Sequence, residues 1–227
     1  DTLIFSKSDY VYQTDNNYHI PSICSTSERR IFLGSQNDYL YELEYKFTDF
    51  FGFNKKAKKI THSSQNFFKK IIPNIFNLAS RNYIAKIVVD NSRHLLYALF
   101  FYTNEENIYD LEKVYNTQVV IYDLGENGLE FNKIGEIDQN IIKERYIDVN
   151  SFTRKDNNFN IIDIFPITRK ESKIYSLVII TKNGVRAYIS FDMLFKEREV
   201  PMNTSGNIYR YRPQMKYSMI LKHFPEP

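Results

Sequence analysis

An all-β fold built from repeated sheet units of the propeller type is what this sequence predicts, and three observations predict it. Nine short segments rich in Ile, Val, Tyr and Phe run along the chain, turn formers punctuate the joins between them, and the segments group into three similar rounds. A sheet unit repeated in this way cannot cover its own faces and must stack on its neighbours.

The first round is HIPSIC (His19 to Cys24), RIFLGS (Arg30 to Ser35) and YLYELEY (Tyr39 to Tyr45), with the turn formers Gln36, Asn37 and Asp38 before the last. The second is IAKIVVD (Ile84 to Asp90), HLLYALF (His94 to Phe100) and QVVIYDL (Gln118 to Leu124), and Asn91-Ser92 mark its first turn. The third is IIDIFPI (Ile161 to Ile167), YSLVIIT (Tyr175 to Thr181) and VRAYISF (Val185 to Phe191), with Asn183-Gly184 at its last turn. A β-sandwich gives the same local pattern and stays open as an alternative. Three rounds are fewer than the four to eight blades that close a propeller. The reading is therefore a partial propeller of about three blades over residues 1–191, with further blades supplied from elsewhere. Residues 192–227 stand outside the repeat, with additional propeller strands as one reading. Phe100 to Thr117 reads as an acidic insertion longer than a tight hairpin.

The formal net charge of +3 conceals an asymmetry. Lys55, Lys56, Lys58, Lys59, Lys69, Lys70, Arg81 and Lys86 fall between Phe50 and Val89 with no acid among them, which leaves the remainder at −5. Such a block attracts an anionic surface, either nucleic acid or acidic lipid. The plainer reading of Lys55 to Lys59 alone is a solvated loop. Cys24 is the one cysteine, so an internal disulfide is excluded and a zinc cluster is not expected. No apolar run is long enough to span a bilayer as a helix. The chain starts at Asp1 and reads as a piece of something longer.

Between the first and second rounds, where a propeller needs a short connection, the chain from Lys46 to Asn82 is long, and it contains QNFFKKIIPNIFNLAS. On a helical projection at about 100° per residue, Phe67, Phe68, Ile71, Ile72, Ile75, Phe76 and Leu78 share one half of the circumference. Lys69, Lys70, Asn74, Asn77 and Ser80 share the other. Pro73 lacks an N–H and pushes Ile72 toward extended geometry, so the expectation is a kink or two short helical turns. Two readings follow. The apolar face packs on the protein's own sheets or a neighbouring domain, or it lies in the head-group layer of a membrane with the lysines facing acidic lipid.

The order and spacing of YVYQTDN (Tyr10 to Asn16), RIFLGSQNDYLYELEY, KKITHSS (Lys58 to Ser64), VVDNSRHLLYAL, VVIYDLGENG and TKNGVRAYIS resemble the large inner-ring scaffold nucleoporins, in which an N-terminal β-propeller precedes a long helical solenoid. The resemblance implies a propeller of the seven-bladed type and a structural role in the inner ring of the nuclear pore complex, at the nuclear envelope. The family carries a membrane-binding loop after the equivalent of KKITHSS, where QNFFKKIIPNIFNLAS stands here. It thus implies contact with the curved pore membrane through the seven apolar residues. Lys55, Lys56, Lys58, Lys59, Lys69 and Lys70 add attraction for acidic lipids. Implied partners are scaffold and linker nucleoporins of the inner ring, with no specific nucleic acid and no cofactor.

Rival functions have less behind them. His19, His62, His94 and His223 are scattered, no Gly-x-Ser-x-Gly elbow appears, and seven glycines form no phosphate-cradling loop, so no catalytic, cofactor or metal residue is assigned. Asp90 and Asp123 sit beside turns and read as caps for backbone amides. The aromatics near the lysines share a face with isoleucines, which suits lipid or a protein groove better than stacked bases. A vesicle-coat propeller, or a general interaction propeller, would share the fold and stays open.

Overall fold

Each round of three segments gains a fourth strand and closes as a four-stranded meander. The computed structural model describes residues 19–36, 39–45, 57–63, 81–103, 114–149, 158–192 and 216–223. The first sheet runs β1 (Ser22–Ser25), β2 (Ile31–Gly34), β3 (Tyr39–Tyr45) and β4 (Ala57–Ser63) in chain order. The second runs β5 (Arg81–Asp90), β6 (Leu95–Thr103), β7 (Val114–Asp123) and β8 (Asn132–Asp138). A helix, α1 (Gln139–Val149), leads to the third: β9 (Ile161–Pro166), β10 (Leu177–Thr181), β11 (Val185–Asp192) and β12 (Lys216–His223). This is an all-β, partial propeller-like architecture.

The fourth strands are where sequence and structure part. β4, β8 and β12 read AKKITHS, NKIGEID and KYSMILKH. Each lies at a sheet edge, where sequences rich in charged residues are common, and the charges dilute the apolar alternation that marks a strand. Two corrections result, and the reading of additional strands within residues 192–227 gains one strand. The stretch from Lys46 to Asn82 is not one long loop, because β4 lies inside it. Lys58 and Lys59 belong to that strand, in register with Glu44 and Leu43 of β3. Residues 216–223 are a strand of the third sheet, fully registered with β11 from Val185 opposite His223 to Asp192 opposite Lys216. The Phe100 to Thr117 insertion shrinks as well, since β6 continues to Thr103 and β7 begins at Val114.

The chain divides into two compact units, Asp1–Ile87 with Phe100–Tyr115 and Val88–Leu99 with Asn116–Pro227, so the middle sheet contributes to both. Every side chain of β6 from Leu95 to Phe101 is buried, the mark of a strand covered on both sides. In the first unit, Ile84 of β5 sits against Gly34 of β2 so closely that a Cβ at residue 34 would lie 2.7 Å from Ile84 Cγ2. The Ile84 amide donates to the Ser35 carbonyl at 2.9 Å and the Ile87 amide to Ser22 Oγ at 2.9 Å. Glycine at 34 is thus required by close approach.

In the second unit Tyr97 stacks on Phe191, ring centroids 6.1 Å apart. Burial pushes its hydroxyl well above the ordinary tyrosine range; Asp90 adds to the rise and Arg93 opposes it. The turns behave as their sequences predict. Asp90 Oδ1 accepts from the Ser92 amide and Asp123 Oδ1 from the Gly125 amide, both at 2.9 Å. Gly184 adopts φ 80°, the left-handed geometry that Asn-Gly supplies.

Cys24 lies on β1 opposite Phe32. Burial pushes its thiol up from 9.0 to about 12. Alkylation by iodoacetamide at pH 8 is expected to run about a thousandfold slower than for an ordinary thiol, and to climb about tenfold per pH unit up to pH 11 because only the thiolate reacts. A rate that levels off near pH 9 would contradict this. The linkage has a definite sign. A raised folded-state pKa contributes stability that is present below the unfolded value and is lost as pH rises from about 9 toward 12.

Candidate interaction site: the connections between sheets

The seven apolar residues Phe67, Phe68, Ile71, Ile72, Ile75, Phe76 and Leu78, and Lys55, Lys56, Lys69 and Lys70, lie outside the described residues. What the structure fixes is where their segment departs and returns. β4 ends at Ser63 on the edge of the first sheet, and β5 begins at Arg81 as an edge strand of the second. Residues 64–80 therefore join two sheet edges. The return is anchored, since β5 bonds to Ser35 and Ser22 of the first sheet.

The next connection shows how this chain covers the same kind of gap with a protein-packed helix. Asp138, the last residue of β8, caps α1: its Oδ1 accepts from the Ile141 amide at 2.9 Å, satisfying an amide that has no intrahelical partner. Ile142 is fully buried, Tyr146 packs on Phe159 with centroids 5.4 Å apart, and Arg145 Nη1 donates to the Met219 carbonyl of β12 at 3.2 Å. Gln139 Oε1 accepts from both the amide and the hydroxyl of Thr117, at 3.1 and 3.0 Å. The Thr117 hydroxyl in turn accepts from the Ile161 amide at 2.7 Å, so one buried side chain links β7, α1 and β9.

A second device sits at the β5–β6 turn. Arg93 pairs with Asp90 at 2.7 Å, and both side chains are buried, 8% and 0% exposed. The same guanidinium donates to the carbonyls of Ile167, of Ser172 at 2.7 Å and of Tyr175 at 3.2 Å, all in the segment between β9 and β10. Sequence reasoning identified Asp90 as a cap but missed Arg93 and Thr117, because their partners lie far away in the chain. His94 falls in this turn with φ 54°, while His62 lies on β4 in register with Leu40.

Among the described residues no group of three or more His, Cys, Asp or Glu could hold a metal ion. None of the described helices is long and apolar enough to cross a membrane. In the first unit Ser22 and Ser35 tie β5 to the first sheet, and in the second unit Arg93 and Thr117 tie strands of the second sheet to the third.

A propeller-like scaffold of this kind defines the class, and comparison with known proteins places it further. Residues 6–223 match the family of nucleoporin N-terminal domains described as Nup133 N-terminal-like, and the chain belongs to that family. It is 27% identical over 188 residues to the nuclear pore complex protein Nup154 of Drosophila melanogaster, an alignment covering 82% of this chain and 12% of Nup154. The crystal structure of the Chaetomium thermophilum Nup170 N-terminal domain in complex with Nup53 shares the fold, with a TM-score of 0.59 and 21% identity over 97% of this chain and 26% of that one. The chain thus spans a small part of the relatives it matches. Together these matches support the inner-ring scaffold nucleoporins and locate the protein at the nuclear pore complex in the nuclear envelope.

Proposed function

We propose that residues 1–191, completed by β12, form consecutive blades of a non-catalytic inner-ring propeller that holds the curved pore membrane through Phe67, Phe68, Ile71, Ile72, Ile75, Phe76 and Leu78. Lys55, Lys56, Lys58, Lys59, Lys69 and Lys70 draw it to acidic lipid. By extension from the Nup170 neighbour, solved with Nup53, other surfaces contact scaffold and linker nucleoporins.

The amphipathic sequence of the β4–β5 connection carries this reading. Among the described residues of α1, Ile142 is fully buried, and the segment between β4 and β5 holds seven large apolar residues in fifteen positions from Asn66 to Ser80. Each such side chain is worth about 1.5 to 3 kcal/mol at full burial, and each lysine near an anionic leaflet about 1 kcal/mol. Ordering the segment takes much of this back. The surplus suits weak, reversible attachment that becomes firm when many copies act together.

The test is co-flotation of the chain with small anionic liposomes. Wild type is expected to float, and Phe68→Asp combined with Ile75→Asp to reduce the bound fraction at least about tenfold while leaving the melting temperature unchanged. Equal flotation with a lowered melting temperature would show that the segment packs on protein. Loss of wild-type binding in high salt would assign most of the attraction to the lysines.

A further inference from the structure

The connection between β9 and β10, residues 167–176, is anchored along its length and presents a serine behind two cations. Arg93 binds the carbonyls of Ile167, Ser172 and Tyr175, and the Arg169 amide donates to Ser92 Oγ at 2.9 Å. Between these anchors Arg169, Lys170, Lys173 and Ile174 are exposed. Glu171 is exposed too, but its Oε2 accepts from both the amide and the hydroxyl of Thr168, at 2.8 Å each, which turns the carboxylate toward the start of the loop. Three bases against this one acid give the loop a net charge of +2. Ser172 is half-buried in the middle of it. Its Oγ accepts from the amides of Ile174 at 3.2 Å and Tyr175 at 2.9 Å, and its hydroxyl donates to no described group. Two successive amides aimed at one oxygen, with cations to either side in sequence, form a concavity that suits a larger anion.

The sequence adds a recognition pattern. Arg169-Lys170-Glu171-Ser172 sets two bases three and two residues ahead of a hydroxyl, the charge pattern selected by serine/threonine kinases with an acidic substrate groove. Lys58-Lys59-Ile60-Thr61 is the one other place in the chain with that spacing, and it lies in β4, where Lys58 to Thr61 pair with Glu44 to Tyr41 of β3. A kinase cleft takes an extended segment free of sheet partners, so the loop qualifies and the strand does not. We infer that Ser172 is a phosphorylation site for a kinase that requires basic residues ahead of its target. In the transfer Ser172 Oγ bonds to the γ-phosphorus of ATP, the bond from that phosphorus to the β–γ bridging oxygen breaks, ADP leaves, and the hydroxyl proton passes to the kinase's base. Engagement opens the loop at Ser172 and releases its carbonyl from Arg93, while Asp90 and the Ile167 carbonyl still hold the guanidinium. Once the loop closes again, the phosphate accepts from the amides of Ile174 and Tyr175, and its charge of about −1.5 to −2 brings the loop close to neutral. This does not depend on lipid binding, so failure of the flotation experiment leaves it untouched.

The test incubates the folded chain with magnesium-ATP and the catalytic subunit of cyclic-AMP-dependent protein kinase, and locates the phosphate by tandem mass spectrometry. Ser172 is expected to be labelled at least about tenfold faster than any other serine or threonine, and Arg169→Ala combined with Lys170→Ala to slow that labelling at least about tenfold with the melting temperature unchanged. Ser172→Ala is expected to abolish it. Amide hydrogen exchange at Ile174 and Tyr175 is expected to be at least about fivefold slower in the phosphorylated chain. Labelling of Thr61 or another residue in place of Ser172 would overturn the proposal, as would labelling of Ser172 in a peptide of residues 165–179 but not in the folded chain. So would exchange at Ile174 and Tyr175 that is no slower after phosphorylation, because the two amides would then not hold the phosphate.

Discussion

Arg93→Ala is expected to cost this chain about 3 to 5 kcal/mol of unfolding free energy, measured by urea denaturation. The ion pair itself is not the main reason. Two buried charges forgo a large hydration energy, and their attraction offsets it only where the geometry is good and the remaining donors are satisfied. Here the guanidinium meets Asp90 at 2.7 Å and also serves three carbonyls between β9 and β10. Removing it leaves a fully buried carboxylate without that cation and three acceptors without that donor. Lysine has the charge but not the planar fork, so Arg93→Lys is expected to restore less than half of the loss. Combining Arg93→Met with Asp90→Asn should cost less than the two single changes added together, because the second removes the charge that the first strands. A loss below about 1 kcal/mol for Arg93→Ala would mean that solvent reaches Asp90 after all.

The inner strands were legible because burial on both sides selects short apolar runs such as HLLYALF, bounded here by turn formers. The turns were legible because Asp90, Asp123 and Gly184 do local chemistry that a few neighbouring residues specify. Edge strands hid behind their lysines. α1 hid for a different reason: QNIIKERYIDV has no acid in its first turn and no base in its last, so it lacks the dipole-matching charges by which helix ends are usually read. Its one sequence signal is Asp138 just ahead of it, the capping residue. Arg93 and Thr117 could not be found at all, since each acts on backbone groups more than forty positions away. Of the candidate site, sequence supplied the amphipathic segment and structure supplied its two fixed ends.

The second connection offers the sharper control for what the first one does. Thr117→Val is expected to cost about 2 to 3 kcal/mol, because the buried Ile161 amide loses its acceptor at 2.7 Å and Gln139 loses one of its donors, while the shape of the side chain hardly changes. Thr117→Ser keeps the hydroxyl and removes one buried methyl, for which about 1 kcal/mol is expected. Urea denaturation checks the order, and amide hydrogen exchange at Ile161 checks the cause, since exchange should accelerate in the valine variant and not in the serine one. If serine proves as costly as valine, packing rather than hydrogen bonding holds α1 against its sheets. Liposome binding adds a distinction that stability alone cannot make. A connection that is held by protein, as α1 is, should have no part in flotation, so Thr117→Val should float as wild type does at temperatures where it is folded. Should it fail to float there, attachment would depend on the second connection as well as on Phe67 to Leu78, and the division of labour between the two would have to be redrawn.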